Sequence, residues 1–200
     1  MKKLIVGNWK MHPDTLSDAQ KIFTASKRAA SRAKKSSIVV CPPALYISAL
    51  QSKKSLSQPF SLGAQNVYHS NIGSHTGEIA PRMLKKIGCR YVIVGHSERR
   101  KDGESHDSIA QKAKAVLEEG MIPILCVGEH ARDSRGAYLR WLSEQINASL
   151  AGISRQKISR IVLAYEPLWA IGKSAQDAID ADTLHQTILF IRTVLVKRFV

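Results

Sequence analysis

Six short apolar runs, each followed by a stretch of helical spacing, constrain this chain more than any other feature. The runs cover residues 4–7, 38–41, 60–64, 91–95, 122–127 and 161–164. Each is short and continuously apolar, as a strand buried on both faces would be. Residues 17–35, 43–54, 79–87, 105–119, 134–151 and 177–198 instead repeat their apolar side chains at the period of one helix face. Strand then helix, six times over, predicts parallel strands joined by right-handed crossovers and covered by helices. No linker, low-complexity tract or shift in composition divides residues 1–200, so one α/β domain is expected. A doubly wound sheet and a barrel both satisfy the pattern.

Composition narrows the functional classes. A hydrophobic content of 44% suits a globular protein with a sizeable core. Thirty Lys and Arg against 16 Asp and Glu give a net charge of +14, a field that attracts anions such as phosphate esters or nucleic acid. The basic residues Lys21, Lys27, Arg28, Arg32, Lys34 and Lys35 punctuate a helical segment, with no aromatic platform of the kind that stacks bases. Solvated helix surface is the expected role, and no nucleic-acid partner is expected. Cys41, Cys89 and Cys126 are odd in number and lack metal-ligand spacing, so neither a disulfide framework nor a metal site is indicated. A reducing cytoplasm fits them. The first apolar stretch stops at Gly7-Asn8, too short for a signal-peptide core, and no segment reaches the roughly 18 apolar residues of a membrane span.

In either architecture the chemistry gathers at the carboxyl ends of the strands. Asn8, Trp9 and Lys10 follow the first strand; if extended geometry continues, Asn8 and Lys10 share a face and Trp9 takes the other. His96 and Glu98 follow the fourth, Cys126 and Glu129 lie at the end of the fifth, and Glu166 closes the sixth just before Pro167. An apolar loop, Trp169-Ala170-Ile171-Gly172, comes next and suits a flap that excludes water. A carboxylate and an imidazole on opposite sides of a small substrate can move a proton between neighbouring carbons while a carbonyl is polarised. That is aldose–ketose isomerisation, with Glu166 as base, His96 as donor to the carbonyl oxygen and Lys10 holding substrate charge. Each residue alone also has an ordinary structural reading: a helix cap, a core histidine, a loop lysine.

Taken together, the segments resemble the triosephosphate isomerase family. Asn8-Trp9-Lys10, Gly63-Ala64-Gln65-Asn66, Thr76-Gly77-Glu78, Gly95-His96-Ser97-Glu98-Arg99-Arg100, Cys126-Val127-Gly128-Glu129 and residues 164–172 follow the family's order and near-family spacing. The resemblance implies a (β/α)8 TIM barrel, of which about six β/α units are present, acting on a phosphorylated triose without metal or organic cofactor. It implies that Glu166, His96 and Lys10 are catalytic, and that Asn8, Lys10 and Gly172 bind substrate. Glu98 would support Lys10, and Thr76 would reach a partner's site in a homodimer. Cys126 would serve packing. A short helix opening at Ser97 would turn its positive end toward His96 and favour a neutral ring.

Two features depart from the family pattern. Gly172 runs straight into Lys173-Ser174-Ala175, which makes the lid two residues short. Val200 is reached after six units, whereas such barrels need about 250 residues. Strands seven and eight, with their helices and phosphate-gripping turns, are not in this sequence, and strands one and six would expose their edges. An incomplete sequence is the expected explanation, and a catalytically impaired fragment or a non-catalytic binding module of the same fold is the alternative.

Overall fold

The computed structural model describes residues 3–51, 59–172 and 178–200. All six expected strands are present: β1 (Lys3–Asn8), β2 (Ser36–Cys41), β3 (Phe60–Ala64), β4 (Cys89–Val94), β5 (Ile122–Val127) and β6 (Val162–Tyr165). The long helices are α1 (Leu16–Arg32), α5 (His106–Glu118), α6 (Ala137–Ser149) and α8 (Ala181–Phe199). Shorter ones are α2 (Ala44–Leu50), α3 (Pro81–Lys86), α4 (Ser97–Lys101) and α7 (Arg155–Ile158), and a 3-10 turn covers Leu168–Ala170. The chain folds as two compact units, Met1–Val94 with Ala115–Pro123, and Gly95–Lys114 with Ile124–Val200.

In the first unit β1, β2, β3 and β4 lie side by side in chain order, all parallel. Parallel pairing follows from the sequence, because each crossover carries a helix with one apolar stripe. In α1 that stripe is Ala19, Phe23 and Ala30, while Lys21, Lys27, Arg28 and Arg32 stay exposed. Thr15 starts the helix by accepting the Asp18 N–H at 3.1 Å. The stripe packs on Val40, Tyr46, Leu50, Phe60 and Leu62, and Phe23 meets Phe60 edge-on with ring centres 5.1 Å apart. Burying one such phenyl ring contributes about 1.5–3 kcal/mol, and the edge contact about 0.5–1.5 kcal/mol more. The pairing of β3 with β4 slips at Leu62/Gly63, where a Cβ on Gly63 would stand 2.5 Å from Cys41 Sγ. At the other side β1 pairs with β2, and Ile5 is 51% exposed.

In the second unit β5 and β6 run parallel, with Cys126 opposite Ala164 and Val127 opposite Tyr165. Leu125, Leu142, Ile146 and Leu150 are fully buried there. Arg198 ties α8 to α6 by donating to the Asn147 and Leu150 carbonyls. Helix α6 starts at residue 137, later than the spacing of apolar residues suggests. Asp133 collects the N–H groups of Arg135, Ala137 and Tyr138, and Gly136 turns left-handed at φ 74°, so the chain closes an acidic turn before it can coil. Helix α2 ends at Leu50, and the remainder of the segment expected to be helical to residue 54 falls largely outside the described residues.

Candidate active site

Three of the residues singled out from the sequence meet in the second unit. His96 is the cap of α4, and its Nδ1 accepts the Glu98 backbone N–H at 3.3 Å. An imidazole nitrogen that accepts a hydrogen bond carries no proton, so in the neutral ring the proton sits on Nε2. That Nε2 stands 3.8 Å from Glu166 Oε2, with the two side chains 15% and 20% exposed. Glu98 Oε2 lies 3.5 Å from Nδ1, on the other side of the ring. Glu166 follows β6 directly, and its carboxylate accepts the Ser97 N–H at 3.3 Å. It therefore rests on the N-terminal turn of α4 beside the imidazole.

The backbone under Glu166 is fixed from several sides. Its N–H donates to the Val127 carbonyl at 2.8 Å, and the Leu168 N–H donates to the Glu129 carbonyl at 2.9 Å. Gly128 lies so close that a Cβ there would sit 1.8 Å from the Glu166 carbonyl oxygen. Buried Gln145 clasps Gly128, accepting its N–H at 2.8 Å and donating to its carbonyl at 3.4 Å. The amide thus acts as a one-residue strand partner at the end of β5.

Glu129, 1% exposed, gathers the loop that follows β6. Its Oε1 accepts from Arg132 Nε at 2.9 Å, the Tyr165 hydroxyl at 2.7 Å and Trp169 Nε1 at 2.9 Å. Burial pushes this carboxyl up, but the hydrogen bonds from Trp169, Tyr165 and Arg132 outweigh it and hold it below the ordinary carboxylate range. Burial and the bond to Glu129 push the Tyr165 hydroxyl up to about 12. Gly172 is exposed with φ 75°, a left-handed conformation that suits glycine. Lys173, Ser174 and Ala175, where the lid looks two residues short, lie outside the described residues.

Asn8, Lys10 and Thr76 belong to the first unit. The expected alternation of Asn8, Trp9 and Lys10 does not hold, because β1 stops at Asn8 and Lys10 turns left-handed at φ 51°. The cause is local: Asn8 Oδ1 captures the Lys10 N–H at 3.0 Å, an Asx turn that folds the chain out of the strand. Gln65 then donates to the Lys10 carbonyl at 2.8 Å and to the Cys41 carbonyl at 2.9 Å. Lys10 is thereby clamped on its N–H and its C=O in a conformation that non-glycine residues seldom adopt. Trp9 packs against the core formed by α1, β2, α2 and β3. Thr76 is exposed on a loop closed by the Tyr68 N–H donating to the Ile79 carbonyl at 2.9 Å.

Gln65 and Gln145 hold backbone groups at strand ends, contacts that the sequence did not single out. Polar side chains next to strand ends were the available signal, but nothing in their spacing says which carbonyls they reach. Cys126 is buried near the end of β5.

An alternating β/α chain with parallel strands, which carries an imidazole at the exit of β4 and a carboxylate at the exit of β6, belongs to the β/α-barrel class. Comparison with known proteins gives the class a family. The family model described as triosephosphate isomerase matches residues 3–199. A triosephosphate isomerase of Roseiflexus sp. (strain RS-1) is 42% identical over 191 residues, covering 92% of this chain and 73% of the relative. Those of Dictyoglomus turgidum and Clostridium novyi are 40% and 38% identical, covering 86% and 99% of this chain and 69% and 78% of their own lengths. The chain belongs to the triosephosphate isomerase family, and its six strands are six β/α units of that barrel fold.

Proposed function

We infer that this chain is a triosephosphate isomerase, interconverting dihydroxyacetone phosphate and D-glyceraldehyde 3-phosphate by proton transfer through an enediol(ate). The observation that carries the mechanism is the His96–Glu166 pair. Glu166, as base, leaves the Ser97 N–H and takes a proton from one substrate carbon, then returns it to the neighbouring carbon. His96 Nε2–H points to the same side as that carboxylate and donates to the carbonyl oxygen as negative charge develops there. A neutral imidazole donor polarises the carbonyl without adding a full positive charge to the site, which is the pattern of this family.

The remaining assignments follow the family resemblance. Lys10 and Asn8 hold substrate charge and orient it, the Gly172 N–H meets the phosphate, and Glu98 and Thr76 support the site. The same reading includes a homodimer, a place in glycolysis and gluconeogenesis, and a cytoplasmic location. No helix among the described residues is long and apolar enough to cross a membrane. The clamped left-handed Lys10 supports a functional role for that residue, since a strained backbone held from both sides is a feature of ligand sites.

The test is isomerase activity from D-glyceraldehyde 3-phosphate in a coupled assay. Glu166→Gln and His96→Gln are each expected to lower kcat by about 10²–10⁴-fold while the circular dichroism spectrum is retained. An unchanged rate in a folded variant removes that residue from the mechanism.

A further inference from the structure

Arg100 lies four residues beyond His96, in the basic run Arg99-Arg100-Lys101. Its side chain turns inward and is half-buried. Nε donates to the Gly95 carbonyl at 2.8 Å. Nη2 donates to the Cys126 carbonyl at 3.0 Å and to Ser149 Oγ at 3.2 Å, and Nη1 meets His106 Nδ1 at 2.9 Å. The Arg100 backbone N–H also donates to the His96 carbonyl at 3.1 Å. One residue thus holds the two consecutive carbonyls, of Gly95 and His96, that frame the imidazole-bearing turn. The same guanidinium holds Cys126, and Val127, the next residue, accepts the Glu166 N–H.

Gly95 confirms how tight this arrangement is. It is left-handed at φ 67°, and a Cβ there would stand 2.8 Å from Arg100 Nη2 and 3.0 Å from Ile109 Cγ2. A residue with a side chain at this position would force the guanidinium to shift.

We propose that Arg100 is a positioning residue for the isomerisation, setting the spacing between the His96 ring and the Glu166 carboxylate by strapping the exit of β4 to the exit of β5. This rests on the reading of His96 and Glu166 given above. A planar fork with fixed N–H directions can serve three carbonyl or hydroxyl acceptors at once, and a lysine ammonium at the same place reaches only one or two. The strap therefore depends on the guanidinium's shape as well as its charge. Arg100 touches neither reacting atom, and its effect passes through the Gly95–His96 turn.

The experiment compares Arg100→Lys with the parent chain, alone and in the His96→Gln background. Arg100→Lys is expected to lower kcat by about 10–100-fold, the order that follows from misplacing a reacting group by a fraction of an ångström to 1 Å, with KM changing less than about threefold. In the His96→Gln background the same change is expected to lower kcat by less than about twofold, since the ring it positions is gone. The imidazole 15N spectrum supplies a readout independent of turnover. The parent chain should show His96 with Nδ1 unprotonated and Nε2 protonated, and Arg100→Lys should broaden or shift that pattern as the bond to the Glu98 N–H loosens. Should Arg100→Lys fail to fold, Ser149→Ala removes one anchor of Nη2 and is expected to lower kcat by about 2–5-fold. Full additivity of the two changes, or an unaltered His96 spectrum in the folded variant, overturns the proposal. A His96→Gln chain as active as the parent overturns instead the reading on which it rests.

Discussion

Gly128 offers a way to move the proposed base without altering its chemistry. Its backbone is not in the left-handed region that excludes side chains, so the effect expected of Gly128→Ala is steric. The new Cβ would lie 1.8 Å from the Glu166 carbonyl oxygen and 2.6 Å from its carbonyl carbon. Both neighbours are backbone, held by the Glu166 N–H to Val127 bond and the Leu168 N–H to Glu129 bond, so no side chain can swing aside. Restoring an ordinary contact of about 3.4 Å requires the exit of β6 to retreat by about 1.6 Å. Misplacement by about 1 Å costs on the order of 10²-fold in rate, so kcat is expected to fall at least about 10²-fold. The overpacking itself costs about 1–3 kcal/mol, read as a loss of about 2–12 °C in Tm.

The assay is steady-state isomerisation together with a thermal melt, and Gly7→Ala is its control. A Cβ on Gly7 would find only the Val39 carbonyl oxygen, at 3.9 Å, so the same substitution in β1 is expected to change kcat by less than about twofold. A folded Gly128→Ala chain with more than about half the parent kcat would falsify the claim that Glu166 works from this backbone position.

Two further outcomes follow from buried groups. Glu129 has its proton affinity lowered in the fold, so it contributes stability that is full above its unfolded value of 4.5 and is lost as pH falls through the lower folded value. Urea midpoints measured from pH 6 down to 3 should therefore decline less steeply in Glu129→Gln than in the parent chain, and equal slopes would contradict the network drawn around Oε1. Burial pushes the Cys41 and Cys89 thiols up to about 12, which leaves a thiolate fraction of about 10⁻⁴ at pH 8. A disulfide reagent should label neither quickly in the native chain and should label all three cysteines in urea; a fast native thiol at either position would show that the core around β2 and β4 is more open than described.

Strands and their exits were legible because a doubly covered strand needs a continuous apolar run, and the residue that ends the run is conspicuous when it is charged. Glu166 before Pro167, and His96 at the head of a helix, could be placed on that logic alone. Lys10 could not be placed, because an alternation argument assumes that extended backbone continues, and a single Asn8 side chain ended it. Arg100 and Gln145 were hidden for a different reason. Long polar side chains read as solvated by default, and only three-dimensional proximity shows that their donors and acceptors face backbone groups at strand ends. The start of α6 was misplaced because apolar spacing says where a helix can lie, whereas Asp133 and Gly136 decide where it does.

These hidden residues share a physical origin. A parallel strand that ends at a site leaves carbonyl and N–H groups unpaired where water must be kept out, and each unmet group costs about 1–3 kcal/mol if buried. Gly95, Cys126 and Gly128 are three such ends, met by Arg100 and Gln145 side chains. Water could satisfy the same groups but would not hold them in one place, and its dielectric would weaken the His96–carbonyl interaction proposed for proton transfer. Side-chain partners thus serve stability and catalysis through the same hydrogen bonds. That coupling is why removing one is expected to change kcat without changing the chemistry of either reacting group.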